Sequence, residues 1–108
     1  MLTKEDKIYG LIGLAARARK IAYGYDSVIE LVKLNKAKLV VVATDASEKT
    51  RKNVQYICNK YNVNLIIFGK KDKISHIIGK ENKVIIALKD KNLSGEICKR
   101  FYGGDAIE

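Results

Sequence analysis

The 108-residue chain is long enough for one hydrophobic core and too short for several domains. Its hydrophobic content of 47% beside 31% charged residues is typical of a globular protein and excludes a disordered chain. Lysine and arginine total 21 against 12 acidic residues, so the net charge of +9 favours a polyanion, most often nucleic acid, as the partner. A generally lysine-rich proteome is the alternative explanation of that charge.

The sequence also indicates a cytoplasmic protein. No apolar run approaches the ~20 residues that a helix needs to span a bilayer, and no basic amphipathic helix suggests a membrane surface. Residues 1–7 are charged and lack the apolar core of a secretory signal. Cys58 and Cys98 lie at apolar helical positions, so we interpret them as small core residues rather than a disulfide or a metal pair.

The first helix is predicted to begin at Thr3, because Asp6 completes a capping-box pattern three residues later. An apolar stripe with helical spacing follows it. Three cations then end the helix, where they suit the negative end of its dipole. These cations are Arg17, Arg19 and Lys20.

Four short apolar runs predict strands at 21–23, 39–43, 64–68 and 84–88. The run 39–43 is apolar on both faces, which is typical of a central strand covered on both sides. Helices are predicted between the strands, at about 25–35, from Ser47 to Asn62 and from Asp72, as the cap, to Gly79. A final helix would end at Gly103 and Gly104.

Strands that alternate with helices predict an α/β fold, here a three-layer α/β/α sandwich with a four-stranded central sheet. The helix before the fourth strand is very short, so we expect a mixed rather than a wholly parallel sheet. One domain would span residues 1–108, with a frayed tail from about residue 103.

The junction at Gly24 is the first candidate binding feature. A glycine between a strand and a helix start indicates either a positive φ or the close approach of a ligand. The helix start would carry unpaired N–H groups beside the basic segment, and such a terminus attracts phosphate. An ordinary capped turn explains the same residues more simply. In the helix, Tyr25, Val28, Ile29 and Val32 form the predicted buried face, opposite Asp26, Glu30 and Lys33.

Catalytic and metal-binding patterns do not occur in the sequence. The single histidine, His76, lies in the predicted fourth helix and is interpreted as structural. The sequence shows no Ser/His/Asp or Cys/His arrangement, no metal-ligand spacing and no glycine-rich phosphate loop. We therefore predict a protein that is not an enzyme and has no cofactor or metal, with a small enzyme at the sheet edge as a remote alternative.

Two strings resemble a known family: GLIGLAARARK at residues 10–20 and KAKLVVVATDAS at residues 36–47. They are similar to the bacterial YlxQ-type proteins, and through them to the ribosomal-protein-like superfamily of kink-turn RNA-binding proteins. The resemblance covers about residues 7–101. It implies the same α/β/α sandwich and RNA binding without catalysis.

When the family's recognition motif is aligned with this chain, it starts at Gly24, which matches the glycine at the motif's first position. Asp26, Ser27 and Glu30 stand where the family has Asn, Glu and Lys, side chains that meet the guanines of tandem sheared G·A pairs. A carboxylate cannot donate to guanine O6, and Glu30 reverses a charge that faces phosphate. Glu30 therefore has two interpretations: it closes a capping box with Ser27, or it faces the RNA.

The loop before the last strand corresponds to a second RNA-contacting surface of the family. It is polar here, whereas the family packs apolar groups on a flipped-out base at this place. The loop consists of Gly79, Lys80, Glu81, Asn82 and Lys83.

The sequence thus predicts a small, cytoplasmic, ribosome-associated RNA-binding protein that acts as a monomer. Its partner would be a structured RNA, with a kink-turn or ribosomal RNA as candidates. Neither DNA nor a membrane is expected as a partner. A protein-interaction adaptor on the same fold is the alternative. The predicted RNA-binding residues are Arg17, Arg19, Lys20, Gly24, Asp26, Ser27, Glu30, Lys33, Lys80, Asn82 and Lys83.

Overall fold

The computed structural model describes residues 2–103, in which helices and strands alternate as the sequence predicts. In chain order these elements are α1 (Lys4–Arg17), β1 (Ile21–Tyr23), α2 (Tyr25–Lys33), β2 (Leu39–Val42), α3 (Glu48–Lys60), β3 (Leu65–Ile67), α4 (Lys71–Ile78), β4 (Ile85–Leu88) and α5 (Lys91–Phe101). The strands form one sheet in the order β1-β4-β2-β3. Because β2 and β3 are parallel and the other pairs antiparallel, the predicted mixed, four-stranded sheet is confirmed.

Strands β2 and β4 form the centre of the protein, since every residue of both strands is buried. Side chains alternate between the two faces of a strand, so each strand contributes to two hydrophobic cores. Leu39, Val41, Ile86 and Leu88 pack against α1, α4 and α5 on one face. Val40, Val42, Ile85 and Ala87 pack against α2 and α3 on the other face, which confirms the three layers.

The predicted caps at Thr3 and Ser47, whose partners lie within one helical turn, are confirmed. The Thr3 side chain accepts a hydrogen bond from the Asp6 N–H at 3.0 Å, and the Asp6 carboxylate accepts one from the Thr3 N–H at 3.2 Å. Hydrogen bonding of the Asp6 carboxylate by the Thr3 backbone N–H, and next by the Thr3 side chain, holds the pKa of Asp6 below its ordinary value. Ser47 caps α3 as predicted, and Gly79, with φ 74°, ends α4 in the left-handed conformation.

Two predicted helix boundaries are wrong, for two different reasons. Asp72 does not cap α4, because the helix begins at Lys71 and the Asp45 carboxylate, from the β2–α3 connection, accepts the Lys71 N–H at 2.9 Å. Helix α2 ends at Lys33, since Asn35 takes a left-handed φ of 60°. The predictions for Gly104 and for the tail beyond it lie outside the described residues.

The interpretation of Cys58, on α3, as a small core residue is confirmed. Val54 and Cys58 are buried, and Ile57 and Tyr61 are half-buried against the same core. Among residues 2–103 no helix combines the length and the apolar character that crossing a membrane requires.

The two thiols are expected to differ in reactivity. Burial raises the pKa of Cys58 to about 11 and also raises the pKa of the half-buried Cys98, and only the thiolate reacts. In native protein at pH 8, a thiol reagent should label Cys98 first and Cys58 only after denaturant is added, as peptide mass mapping would show. Labelling of both thiols at one rate in the native state would contradict the burial of Cys58.

Candidate nucleic-acid interface

Four connections meet at one end of the sheet. Val42 pairs with both Ile67 and Ile85, so β2 and β3 end where β4 begins, and Tyr23 at the end of β1 pairs with the adjacent Ile86. We call this the Gly24 end; it comprises the connections that contain Gly24, Asp45, Gly69 and Lys83. The opposite Lys20 end holds the start of β1 and the start of α5.

The Gly24 turn has a backbone that requires glycine. Its φ of 87° lies in the region that L side chains rarely adopt, so the predicted positive φ is confirmed. The Gly24 N–H donates to the Ile85 carbonyl at 3.0 Å, and the Gly24 carbonyl accepts from the Val28 N–H at 3.1 Å. The turn is therefore tied to β4 on one side and to α2 on the other.

Helix α2 begins without a side-chain cap, because its N-cap residue is Gly24. The N–H groups of Tyr25, Asp26 and Ser27 consequently have no acceptor within the helix. Since the helix starts at Tyr25, Ser27 lies inside its first turn, and the capping box between Ser27 and Glu30 is wrong. Glu30 is instead exposed on the helix surface.

The α4–β4 connection places two lysines beside this turn. The Lys80 and Lys83 Nζ atoms lie 5.0 and 5.5 Å from the centre of the Tyr23 ring, within the range of cation–π contacts. A Cβ atom placed on Gly24 would lie 4.0 Å from the Lys83 Nζ. The structure thus brings Gly24, Lys80 and Lys83 together as one basic site. Tyr23 was not among the predicted site residues, and its signal in the sequence is its position directly before Gly24.

Ser75 fixes the end of that connection, and it too was missed. Its buried hydroxyl accepts the Lys83 N–H at 2.8 Å and donates to the Lys83 carbonyl at 3.2 Å. Asn82, directly before Lys83, is exposed and takes a left-handed φ of 56°. A serine at an otherwise apolar helical position was the available signal, but its partner could not be identified from the sequence.

The three cations at the end of α1 lie elsewhere: Arg17 is the last residue of the helix, and Arg19 and Lys20 follow it. The Lys20 Nζ pairs with the Asp90 carboxylate at 3.0 Å, and Asp90 also caps α5 through the Leu93 N–H at 2.7 Å. No hydrogen bond, ion pair or cation–π contact within residues 2–103 joins Arg17, Arg19 or Lys20 to Gly24. The four residue steps from Lys20 to Gly24 along β1 span about 13 Å.

Asp90 has a structural role, whereas Arg17 lies over its own helix. The Leu93 amide and then the Lys20 ammonium hold the pKa of Asp90 below its ordinary value. Because the folded-state pKa is depressed, the stabilisation is present above the ordinary aspartate pKa and is lost as the pH falls through the folded value. The Arg17 guanidinium folds back over Gly13, where a Cβ atom would lie 3.4 Å from it. The cleft it lines also contains His76, which is exposed.

The remaining predicted residues lie on α2. Asp26, Ser27, Glu30 and Lys33 are all exposed, and three of them, without Ser27, line one groove of about 470 Å³ between α2 and α3. The prediction that these three share a face is therefore confirmed. The predicted burial of Tyr25 is wrong, since 39% of this residue is exposed at the start of the same groove.

The chain is similar to known proteins over most of its length. The ribosomal protein L7Ae/L30e/S12e/Gadd45 family matches residues 6–98. The RNA-binding protein YlxQ of Bacillus subtilis (strain 168) is 37% identical over 89 residues, which cover 82% of this chain and 89% of that protein. The protein with the same name from Enterococcus faecium is 41% identical over 78 residues, which cover 72% and 76%.

Solved structures share the fold. A protein with unknown function from Bacillus halodurans superposes with a TM-score of 0.85 at 30% identity and covers 89% of this chain and 97% of its own. The 15.5kD RNA binding protein of Giardia lamblia superposes with a TM-score of 0.77 over 90% of this chain and 87% of its own. At 18% identity, the second likeness shows the fold alone.

Replacing Ser75 by alanine should destabilise the protein. The change leaves the Lys83 N–H and carbonyl without their buried partner, which costs about 1–3 kcal/mol of unfolding free energy. Urea unfolding would measure the loss, and Ser27→Ala, at an exposed serine on α2, is the matched control. Equal stability of the two variants would show that the hydroxyl does not hold the connection.

Proposed function

Because the chain belongs to the ribosomal protein L7Ae/L30e/S12e/Gadd45 family and is a small RNA-binding protein, we propose that it binds a structured RNA at the Gly24 end of the sheet. The observation that carries this proposal is the convergence of Lys80 and Lys83 on the Tyr23 ring, directly before Gly24 and the uncapped start of α2. A kink-turn and a segment of ribosomal RNA are the candidate structures. The protein would act in the cytoplasm as a monomer, without catalysis.

The mechanism is positioning of the RNA backbone. The free N–H groups at the start of α2 and the positive end of its dipole favour a phosphate there. Lys80 and Lys83, held beside this helix end by the Ser75 anchor, neutralise adjacent phosphates. Gly24 presents no side chain to the approaching backbone.

Base contacts would come from the first turn of α2 and from Asn82. Ser27 can donate or accept, whereas ionised Asp26 only accepts and therefore selects amino and imino groups on base edges. This preference differs from that of an asparagine at the same place. Asn82 and Lys33 would extend the contact on either side of the helix start.

Arg17, Arg19 and Lys20 have a secondary place in this proposal. They lie toward the Lys20 end, where Lys20 already pairs with Asp90. They would contact only an RNA whose backbone extends across β1.

The lysines of the α4–β4 connection should set the salt dependence of binding. The double variant Lys80→Gln/Lys83→Gln removes two phosphate contacts, so the slope of log affinity against log salt should become shallower by about 1.5. Filter binding with fragmented total bacterial RNA at several salt concentrations would measure this slope.

The matched control is Lys91→Gln, which removes an exposed lysine at the Lys20 end and should leave the slope unchanged. A shallower slope for Lys91→Gln, with no change for the double variant, would place the RNA at the Lys20 end instead.

Glu30→Lys should tighten RNA binding at unchanged stability. Glu30 is exposed and does not cap α2, so its carboxylate acts on a bound phosphate only through repulsion. The charge reversal should steepen the salt slope by about one contact, roughly 0.7–0.9. Glu96→Lys on α5 makes the same change in net charge away from α2 and is the control. Equal tightening by both variants would indicate an unspecific effect of net charge.

A further inference from the structure

A second cleft opens between α2 and α3 and is lined by exposed aromatic rings. Tyr56 is 69% exposed and Tyr25 is 39% exposed, and both border a cavity of about 300 Å³. A group of large aromatic side chains exposed to solvent is typical of an interaction surface. We call this cavity the Tyr25–Tyr56 cleft.

The polar lining of this cleft is cationic. Lys33 comes from α2, and Lys60 with Asn53 comes from α3, on either side of Tyr56. Asn53, Tyr56 and Lys60 share one helix face because they lie three and four residues apart. No acidic side chain among the described residues lines this cleft, whereas Asp26 and Glu30 line the adjoining groove.

We propose that the Tyr25–Tyr56 cleft holds an unpaired nucleotide, with its base stacked on Tyr56 and its phosphates between Lys33 and Lys60. This inference rests on the proposed function, since the nucleotide would belong to the RNA bound at the Gly24 end. Tyr25 follows Gly24 directly, so a strand that leaves the turn reaches the cleft at once. Lys33 lies two helical turns further on, about 12 Å along α2.

The composition of the cleft distinguishes a nucleotide from a protein partner. Tyrosine is common in both kinds of interface, but lysine is depleted from protein interfaces and is abundant where single-stranded nucleic acid binds. Every base has a face that can stack on tyrosine, and the Asn53 amide can donate to or accept from a base edge. The cleft therefore suits any unpaired base, with a modest preference set by Asn53.

Photocrosslinking can locate the nucleotide. The full chain would be irradiated with total bacterial RNA that contains 4-thiouridine, and the tryptic peptides that carry a nucleotide would be identified by mass spectrometry. Cleavage after lysine and arginine separates residues 53–60, with Tyr56, from residues 21–33, with Tyr23 and Tyr25, and from residues 101–108, with Tyr102.

Adducts are expected on both 53–60 and 21–33. Adducts on 21–33 without any on 53–60 would overturn the proposal that the cleft holds a nucleotide, while the proposed function would stand. If adducts are absent from both peptides and also from residues 74–83, which contain Lys80, Asn82 and Lys83, the proposed function is overturned as well.

Variants give an independent readout. Tyr56→Leu should weaken binding of the same RNA about five-fold or more without changing the salt slope, since a stacked ring contributes no charge. Tyr102→Leu is the matched control, because Tyr102 is also 69% exposed but lies beyond α5. Lys60→Gln should instead make the slope shallower by one contact.

One result would overturn nucleotide binding in the cleft. Tyr56→Leu would keep the wild-type RNA affinity and melting temperature, while Lys80→Gln/Lys83→Gln would still weaken binding. That combination would leave the Gly24 end as the RNA site and the exposed tyrosines without an RNA contact.

Discussion

The antiparallel pairing of β2 with β4 is the constraint on which the rest of the structure depends. Both strands are buried on both faces, so their register cannot shift without moving apolar side chains out of two cores. Antiparallel pairing also forces the chain before β4 to return to the end of the sheet where β2 leaves it. Lys83 reaches Gly24 for this reason, and the bond from the Gly24 N–H to the Ile85 carbonyl continues the antiparallel ladder of β1 with β4.

The proposed binding site is consequently held in place without RNA. Lys83 has its backbone held by Ser75 from within α4, and Gly24 has its backbone held by β4 and α2. A connection fixed in this way loses little conformational freedom on binding, so more of the phosphate attraction appears as affinity. The long lysine side chains remain free to adjust to the position of each phosphate.

The sequence predicted most of the features that depend on residues close together along the chain. The period of the apolar residues predicted the elements, and the short helix before the fourth strand predicted the mixed sheet. The caps at Thr3 and Ser47 lie within one turn of their partners. It failed where the partner is distant: Asp45 caps α4 from 26 residues away, and Lys20 pairs with Asp90 across 70 residues. For the same reason the cations at the end of α1 were grouped with Gly24, although the length of β1 separates them from it.

The acidic residues of α2 define how an RNA can lie on this surface. Asp26 and Glu30 lie between two cationic regions of the surface, the Gly24 end and the Tyr25–Tyr56 cleft. A regular duplex laid along α2 would bring its phosphates onto both carboxylates, and like charges at short range repel. A strand that turns at Gly24 and offers one unpaired base to Tyr56 meets the lysines and can hold its phosphates away from the carboxylates. The charge pattern of this one helix therefore favours an RNA with an irregular, unstacked segment over a continuous helix.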